Sequence, residues 1–343
     1  MQDTYYMSNI TLFQAKTSFT ESIRLRRSAS TIRTYAGALE MFLNMLESQH
    51  IDVTKFPVAN LSEDPIADFI SYIKNLSPST EGLYLQIIKN FYEFLDSENL
   101  AVVNLSRVRS IIRQRSRRSR RQSVNFPEDD INRVIEFMAN LNNLSSSIDE
   151  DLGNLRMRDM RDRALILTFA DTGLRVNEVC KLRCGDMDWK ESRAIITSRG
   201  KKQAPVRFST RAKDALKDYL STRAPLDLET GRTLSSLPLF ARHDKGAGKK
   251  IKPITTTTCR NIVTDRVRQI LGDEAVGSIT PNSFLHYFVT AILRATGNLK
   301  LAQELARHAN IQVTQRYAHL SDDELDRGYY EIFERPEAQN WEI

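Results

Sequence analysis

The chain predicts a mainly α-helical protein with one small antiparallel β-sheet, arranged as two domains. Three observations carry that expectation. Apolar residues recur at helical spacing between cap and turn residues in most segments, only one pair of short stretches fits a β-hairpin, and a strongly basic stretch separates two patterned regions. With 343 residues, 41% of them hydrophobic and 27% charged, the chain is long enough for two cores and has the balance of an ordinary globular protein.

Taken in order, Phe19, Ile23, Ile32, Tyr35, Leu39, Phe42 and Leu46 keep helical spacing over 17–48, with Ser28 or Ser30 as the N-cap of a second helix. A loop around Pro57 leads to Asp64-Pro65, which opens a helix through Phe69 and Ile73. Ser77-Pro78-Ser79-Thr80 then caps a long helix through Leu83, Ile87, Phe91 and Leu95. Residues 1–103 are thus expected to form a helical bundle, 104–126 a basic linker and 127–343 a second domain.

The second domain starts at Pro127, followed by acids in a first helical turn. Residues 142–153 read as a polar surface loop and 164–170 as a buried helix. Strands fit 194–197 and 204–208, joined by a hairpin tip at 199–203. Helices follow at 211–220, 256–271, 283–295 and 299–307, with a basic loop at 242–252 between the first two.

No apolar run approaches the roughly 20 residues needed to span a bilayer, and the N-terminus lacks a basic segment followed by an apolar one, so a cytoplasmic protein is expected. Cys180, Cys184 and Cys259 cannot all pair and have no second pair at metal-ligand spacing, so they read as buried thiols, with no metal or other cofactor implied. The net charge is +6, and its distribution matters more than its size. No acid lies between Glu98 and Glu128, while Arg107, Arg109, Arg113, Arg115, Arg117, Arg118, Arg120 and Arg121 crowd that interval, a pattern suited to tracking a nucleic-acid backbone.

Near the C-terminus, LAQELARHANIQVTQRYAHL (301–320) puts His308 at a helix junction and Tyr317 on the next short helix. Residues 172–182, TGLRVNEVCKL, resemble the TGLR-x-x-E-x-x-x-L signature of the tyrosine recombinases, the phage integrase family. Further elements follow in the family's order: Gly200-Lys201 in the hairpin, Thr280-Pro281 before a helix, His308, and Thr314-Gln315-Arg316-Tyr317-Ala318-His319. The N-terminal bundle, with Ser30-Thr31 and Ser79-Thr80 opening helices, is similar to the family's core-binding domain.

The resemblance implies a two-domain DNA clamp that cuts and rejoins strands at specific sites in double-stranded DNA, as a dimer on each site and a tetramer in the synapse. Tyr317 would be the nucleophile, Arg175 and His308 phosphate-binding groups, and Lys201 the proton donor, with Lys202 as its alternative. Such chemistry needs guanidinium donors, a nucleophile and an acid, and no ATP or metal. Glu178 would orient the Arg175 helix. Arg113, Arg115, Arg117, Arg118, Arg120, Arg121 and Lys202 are the expected DNA-backbone contacts.

One motif departs from the family. Where the family has H-x-x-R-H, this chain has Asn282, Leu285 and His286. Leucine cannot donate to a phosphate, so three readings stay open at this point: an inactive DNA-binding relative, an introduced change, or rescue by another arginine. Arg307, beside His308 where the family has glycine, is the arginine to consider. The apolar residues Leu320, Leu325, Tyr329, Tyr330, Ile332 and Phe333 fit a C-terminal helix that, by the same resemblance, docks on a neighbouring subunit.

Overall fold

In the computed structural model, residues 10–117, 127–141, 150–197, 203–244, 250–315 and 317 are described. Lys201, Lys202, Arg118, Arg120, Arg121, Arg316, His319 and the proposed C-terminal helix lie outside them. The chain divides into two compact units, Met1–Val124 and Asn125–Ile343. No helix among the described residues is long and apolar enough to cross a membrane.

The first unit holds α1 (Leu12–Arg24), α2 (Ala29–Ser48), α3 (Pro65–Tyr72), α4 (Pro78–Ser97) and α5 (Leu105–Arg115). Side-chain caps start most of them: Thr11 for α1, Ser28 for α2, Ser77 for α4 and Asn104 for α5 each accept from a backbone N–H three residues on. The core is aromatic, with Phe42 edge-on to Phe69 at 5.3 Å and Phe19 5.4 Å from Phe91. Leu83, expected inside, is 47% exposed on the outer face of α4.

The basic stretch departs from the expected linker in its first half. Its arginines hide an amphipathic pattern, and α5 buries Val108 while Ile111 and Ile112 pack on the bundle core. Arg113 and Arg115 are exposed, as a nucleic-acid contact requires. Arg117 instead secures the end of the stretch. Its Nε donates to Glu81 Oε2 at 2.6 Å and its Nη2 to Leu76 O, and Glu81 is only 2% exposed. This guanidinium is paired with a buried carboxylate, which ties the end of the stretch to α4 while 38% of the Arg117 side chain stays exposed.

The second unit is built around α7 (Glu150–Thr172), whose stretch 164–170 is buried on every side. The helix already runs at Glu150, so the expected loop to residue 153 ends sooner. Packed with it are α6 (Glu128–Ala139), α9 (Thr210–Glu229), α10 (Thr256–Leu271) and α11 (Pro281–Thr296), with α8 (Val176–Val179), α12 (Leu299–Leu305) and α13 (Ile311–Gln315) as short pieces. The sheet has three antiparallel strands, β1 (Met187–Asp188), β2 (Arg193–Thr197) and β3 (Gln203–Arg207), in the order β1-β2-β3. β1 is too short to show in the sequence pattern.

α9 continues nine residues past the expected end, through Pro225. An interior proline removes a helix hydrogen bond. Here the fully buried Arg223 bridges it, donating to Asp227 Oδ1 at 2.9 Å, to Tyr219 Oη at 3.1 Å and to Leu239 O at 3.1 Å. Cys184 and Cys259 are buried, but Cys180 is half-buried, and its Sγ lies 3.6 Å from Cys259 Sγ.

Candidate active site

The site starts where α7 ends. Thr172 Oγ1 donates to Thr168 O at 2.6 Å and accepts from the Leu174 N–H at 3.2 Å, which closes the last turn. Gly173 has φ +57°, and a Cβ there would stand 2.4 Å from Cδ1 of Phe288 on α11. Backbone handedness and the adjacent ring both demand glycine at this position. Just before the turn, Asp171 accepts from Ser209 Oγ at 2.5 Å and from Arg211 Nε at 2.7 Å, tying the end of α7 to the start of α9.

This turn delivers Arg175, whose backbone N–H donates to Glu178 Oε2 at 2.8 Å. Its Nη1 stands 3.5 Å from Glu178 Oε1, and its side chain is 41% exposed. Glu178 thus caps the start of α8 at Arg175.

α11 contributes a second wall. Asn282 Nδ2 and His286 Nε2 lie 3.1 Å apart, one turn along the same helix. Leu285 is 5% exposed and packs in a small apolar cluster with Val289, Ala302 and Ala306, against which Phe288 and Tyr317 also lie. Arg294, further along, forms an ion pair with Glu128.

α12 supplies the third wall. Its C-terminus is a Schellman turn in which the His308 N–H donates to Gln303 O at 3.0 Å and the Arg307 N–H to Glu304 O at 3.1 Å. Glycine is the usual residue at the left-handed position of this turn, yet Arg307 occupies it with φ +55°, a conformation costing about 1–2 kcal/mol for a residue with a Cβ. The guanidinium reaches back to the α7 turn. Nη1 donates to Leu305 O at 2.9 Å and Thr172 O at 3.3 Å, and Nη2 to Gly173 O at 2.8 Å, with Glu178 Oε2 at 3.5 Å.

His308 is 6% exposed, and its Nδ1 lies 2.9 Å from Thr314 Oγ1 on α13. Burial, then the charges of Arg175 and Arg307, pulls its pKa down to about 4, so the imidazole is neutral at pH 7. Burial also lowers the pKa of His286.

Tyr317 does not sit on a helix as expected; it follows the end of α13 in a turn, its N–H donating to Thr314 O at 3.0 Å. Its half-buried ring lies 4.7 Å from the His286 ring, edge-on, and 6.4 Å from the His308 ring, nearly parallel to it. The structure thus gathers Arg175, Glu178, Asn282, His286, Arg307, His308 and Tyr317, while Lys201 and Lys202 fall outside the described residues. Phe288 and Thr314 were not singled out from the sequence; a buried threonine or a phenylalanine carries no chemical signal until its neighbour is known.

The depressed His308 pKa has a measurable consequence. A histidine held neutral by the fold contributes stability that is fully present above its unfolded pKa of about 6.5 and is lost as pH falls toward about 4. Histidine NMR titration is expected to place His308 near pH 4, with unfolding free energy declining between those two values. A midpoint near 6.5 would contradict the buried geometry.

A cluster of a phenol, two imidazoles and two guanidinium groups beside an apolar patch is suited to an anionic, phosphate-like group. The comparisons agree in kind. A tyrosine recombinase XerC from Thermodesulfovibrio yellowstonii is 28% identical over 306 residues, covering 89% of this chain and 91% of that protein. XerC of Bacillus subtilis is 26% identical over 313 residues, covering 91% and 93%. Among solved structures, the Tn1549 transposon integrase in complex with transposon right end DNA matches with a TM-score of 0.66 at 16% identity, over 95% of this chain and all of that one. The XerH site-specific recombinase bound to palindromic difH substrate matches at 0.64 and 19%, over 89% and 80%. At those identities the two structures establish a shared fold. Residues 126–324, more than half of the chain and nearly all of the second unit, match the Phage integrase family, and the chain belongs to that family.

Proposed function

We propose that this protein is a site-specific DNA recombinase that cleaves and rejoins DNA strands through a covalent phosphotyrosine intermediate on Tyr317. The observation that carries the reading is the gathering of His308 and Tyr317, close together in sequence, with Arg175, far earlier in the chain, in one cluster of side chains. Relatives named tyrosine recombinases, matched along most of their length, support it.

In this reading the Arg175 guanidinium and the neutral His308 imidazole bind the scissile phosphate and stabilise the charge gathering on its oxygens. Tyr317 Oη loses its proton and bonds phosphorus while the P–O5′ bond breaks, and Lys201 protonates the departing 5′ oxygen. The phosphotyrosine conserves the bond energy, so a 5′ hydroxyl from another strand reverses the step without ATP. Exposed Arg113 and Arg115 and the arginines that follow contact the DNA backbone. The substrate is double-stranded DNA carrying specific recombination sites, the assembly a dimer on each site and a tetramer in the synapse, and the setting the cytoplasm.

A duplex with a nick close to the cleavage point traps the intermediate. Such a substrate is expected to yield a covalent protein–DNA product that vanishes in Tyr317→Phe while binding persists. Sequence-specific binding with no covalent product in the parent protein would instead identify a DNA-binding member of the family without cleavage.

A further inference from the structure

We propose that Arg307 is a positioning residue for the scissile phosphate site: through the shared carboxylate of Glu178 and the carbonyls of Thr172 and Gly173 it fixes Arg175, and it sets a second positive charge behind the phosphate. The proposal rests on the recombinase reading above. It deepens that reading by assigning the second charge of the site to the end of α12, where Leu285 on α11 provides none.

Three independent features of this one residue support it. The first is its backbone, held in the left-handed region at the Schellman position where glycine is at ease. A larger side chain persists there only if the surroundings require it. The second is the side chain, which is 9% exposed and has an Nε with no hydrogen-bond partner among the described residues. Buried donors are nearly always paired, so this orphan, beside four satisfied contacts, marks a guanidinium placed by something other than fold economy.

The third feature is its company. Glu178 lies 3.5 Å from a terminal nitrogen of Arg175 through Oε1 and 3.5 Å from one of Arg307 through Oε2. One carboxylate therefore holds two cations side by side, leaving net positive charge at this point of the site. Burial lowers the Arg307 pKa against the opposing attraction of Glu178, and the nearby Arg175 cation adds to the lowering, so an anion arriving in front of the pair eases the repulsion between the two cations. The contacts to Thr172 O and Gly173 O also brace the turn that aims Arg175. The carbonyls and Glu178 engage both terminal nitrogens, so Arg307 acts on the phosphate through Arg175 and through its field.

Arg307→Gly is the informative variant, because glycine fits the turn and removes only the cation and its braces. With the nicked duplex, cleavage is expected to fall by about 10²-fold while DNA affinity changes little, the pattern of a transition-state interaction lost. Arg307→Lys, which keeps the charge without the fork, is expected to fall between, and guanidinium ion added to Arg307→Gly to recover part of the rate. Parental cleavage in a folded Arg307→Gly, or cleavage and affinity falling in parallel, would overturn the proposal. If the parent protein forms no more covalent product than Tyr317→Phe, the recombinase reading fails instead. The Arg175 Nε–H signal in DNA-free protein then decides: loss of its order in Arg307→Gly supports the positioning role, and an unchanged signal ends it.

Discussion

Gly173→Ala is expected to cost about 2–4 kcal/mol of stability, combining left-handed strain with overpacking against a ring. The added Cβ would stand 2.4 Å from Phe288 Cδ1, and φ stays near +57° only if the turn stays intact. Either the ring moves, disturbing α11, or the turn opens and Arg175, two residues on, is displaced. With Arg175 as the proposed phosphate-binding group, a displacement of about 1 Å costs roughly 10² in rate. Denaturant unfolding and nicked-duplex cleavage should therefore both suffer, with cleavage low even where the folded fraction is corrected for. Parental values in both assays would show that the turn does not lock against Phe288.

Leu285→Arg has the second large expected effect, and its sign is set by packing. The family resemblance suggests that arginine here would restore a phosphate contact. Leu285, however, is buried with Val289, Ala302 and Ala306, in a cluster bordered by Ile292 and Leu293. A guanidinium forced into that cluster has no carboxylate partner, and an unpaired buried charge costs about 3–5 kcal/mol. Tyr317 packs on the same cluster, so the intrusion also shifts the residue proposed above as the nucleophile. The melting temperature is expected to drop sharply with no gain in cleavage. A stable variant that cleaves faster would mean that position 285 reaches the phosphate.

Helices were legible where apolar period and caps coincided, as with Ser28 before α2 and Ser77 before α4. They were obscured where charge or proline masked the period: α5 hides its buried face beneath arginines, and α9 runs on through Pro225 because the Arg223–Asp227 pair spans it. The candidate residues that the fold gathers around Tyr317 could be read from motif order alone. Their support could not. The left-handed backbone of Arg307 is a tertiary outcome, and the Thr314 contact to His308 becomes visible only when α13 folds back.

One helix carries parts of two walls. Through Phe288, α11 closes on the glycine beneath Arg175, and through Leu285 and His286 it touches the ring of Tyr317. The turn that leads to Arg175 and the surroundings of Tyr317 therefore share one packing partner. A shift of α11 large enough to move Phe288 would carry Leu285 and His286 with it, so the packing under the glycine turn and the packing around Tyr317 would be disturbed together.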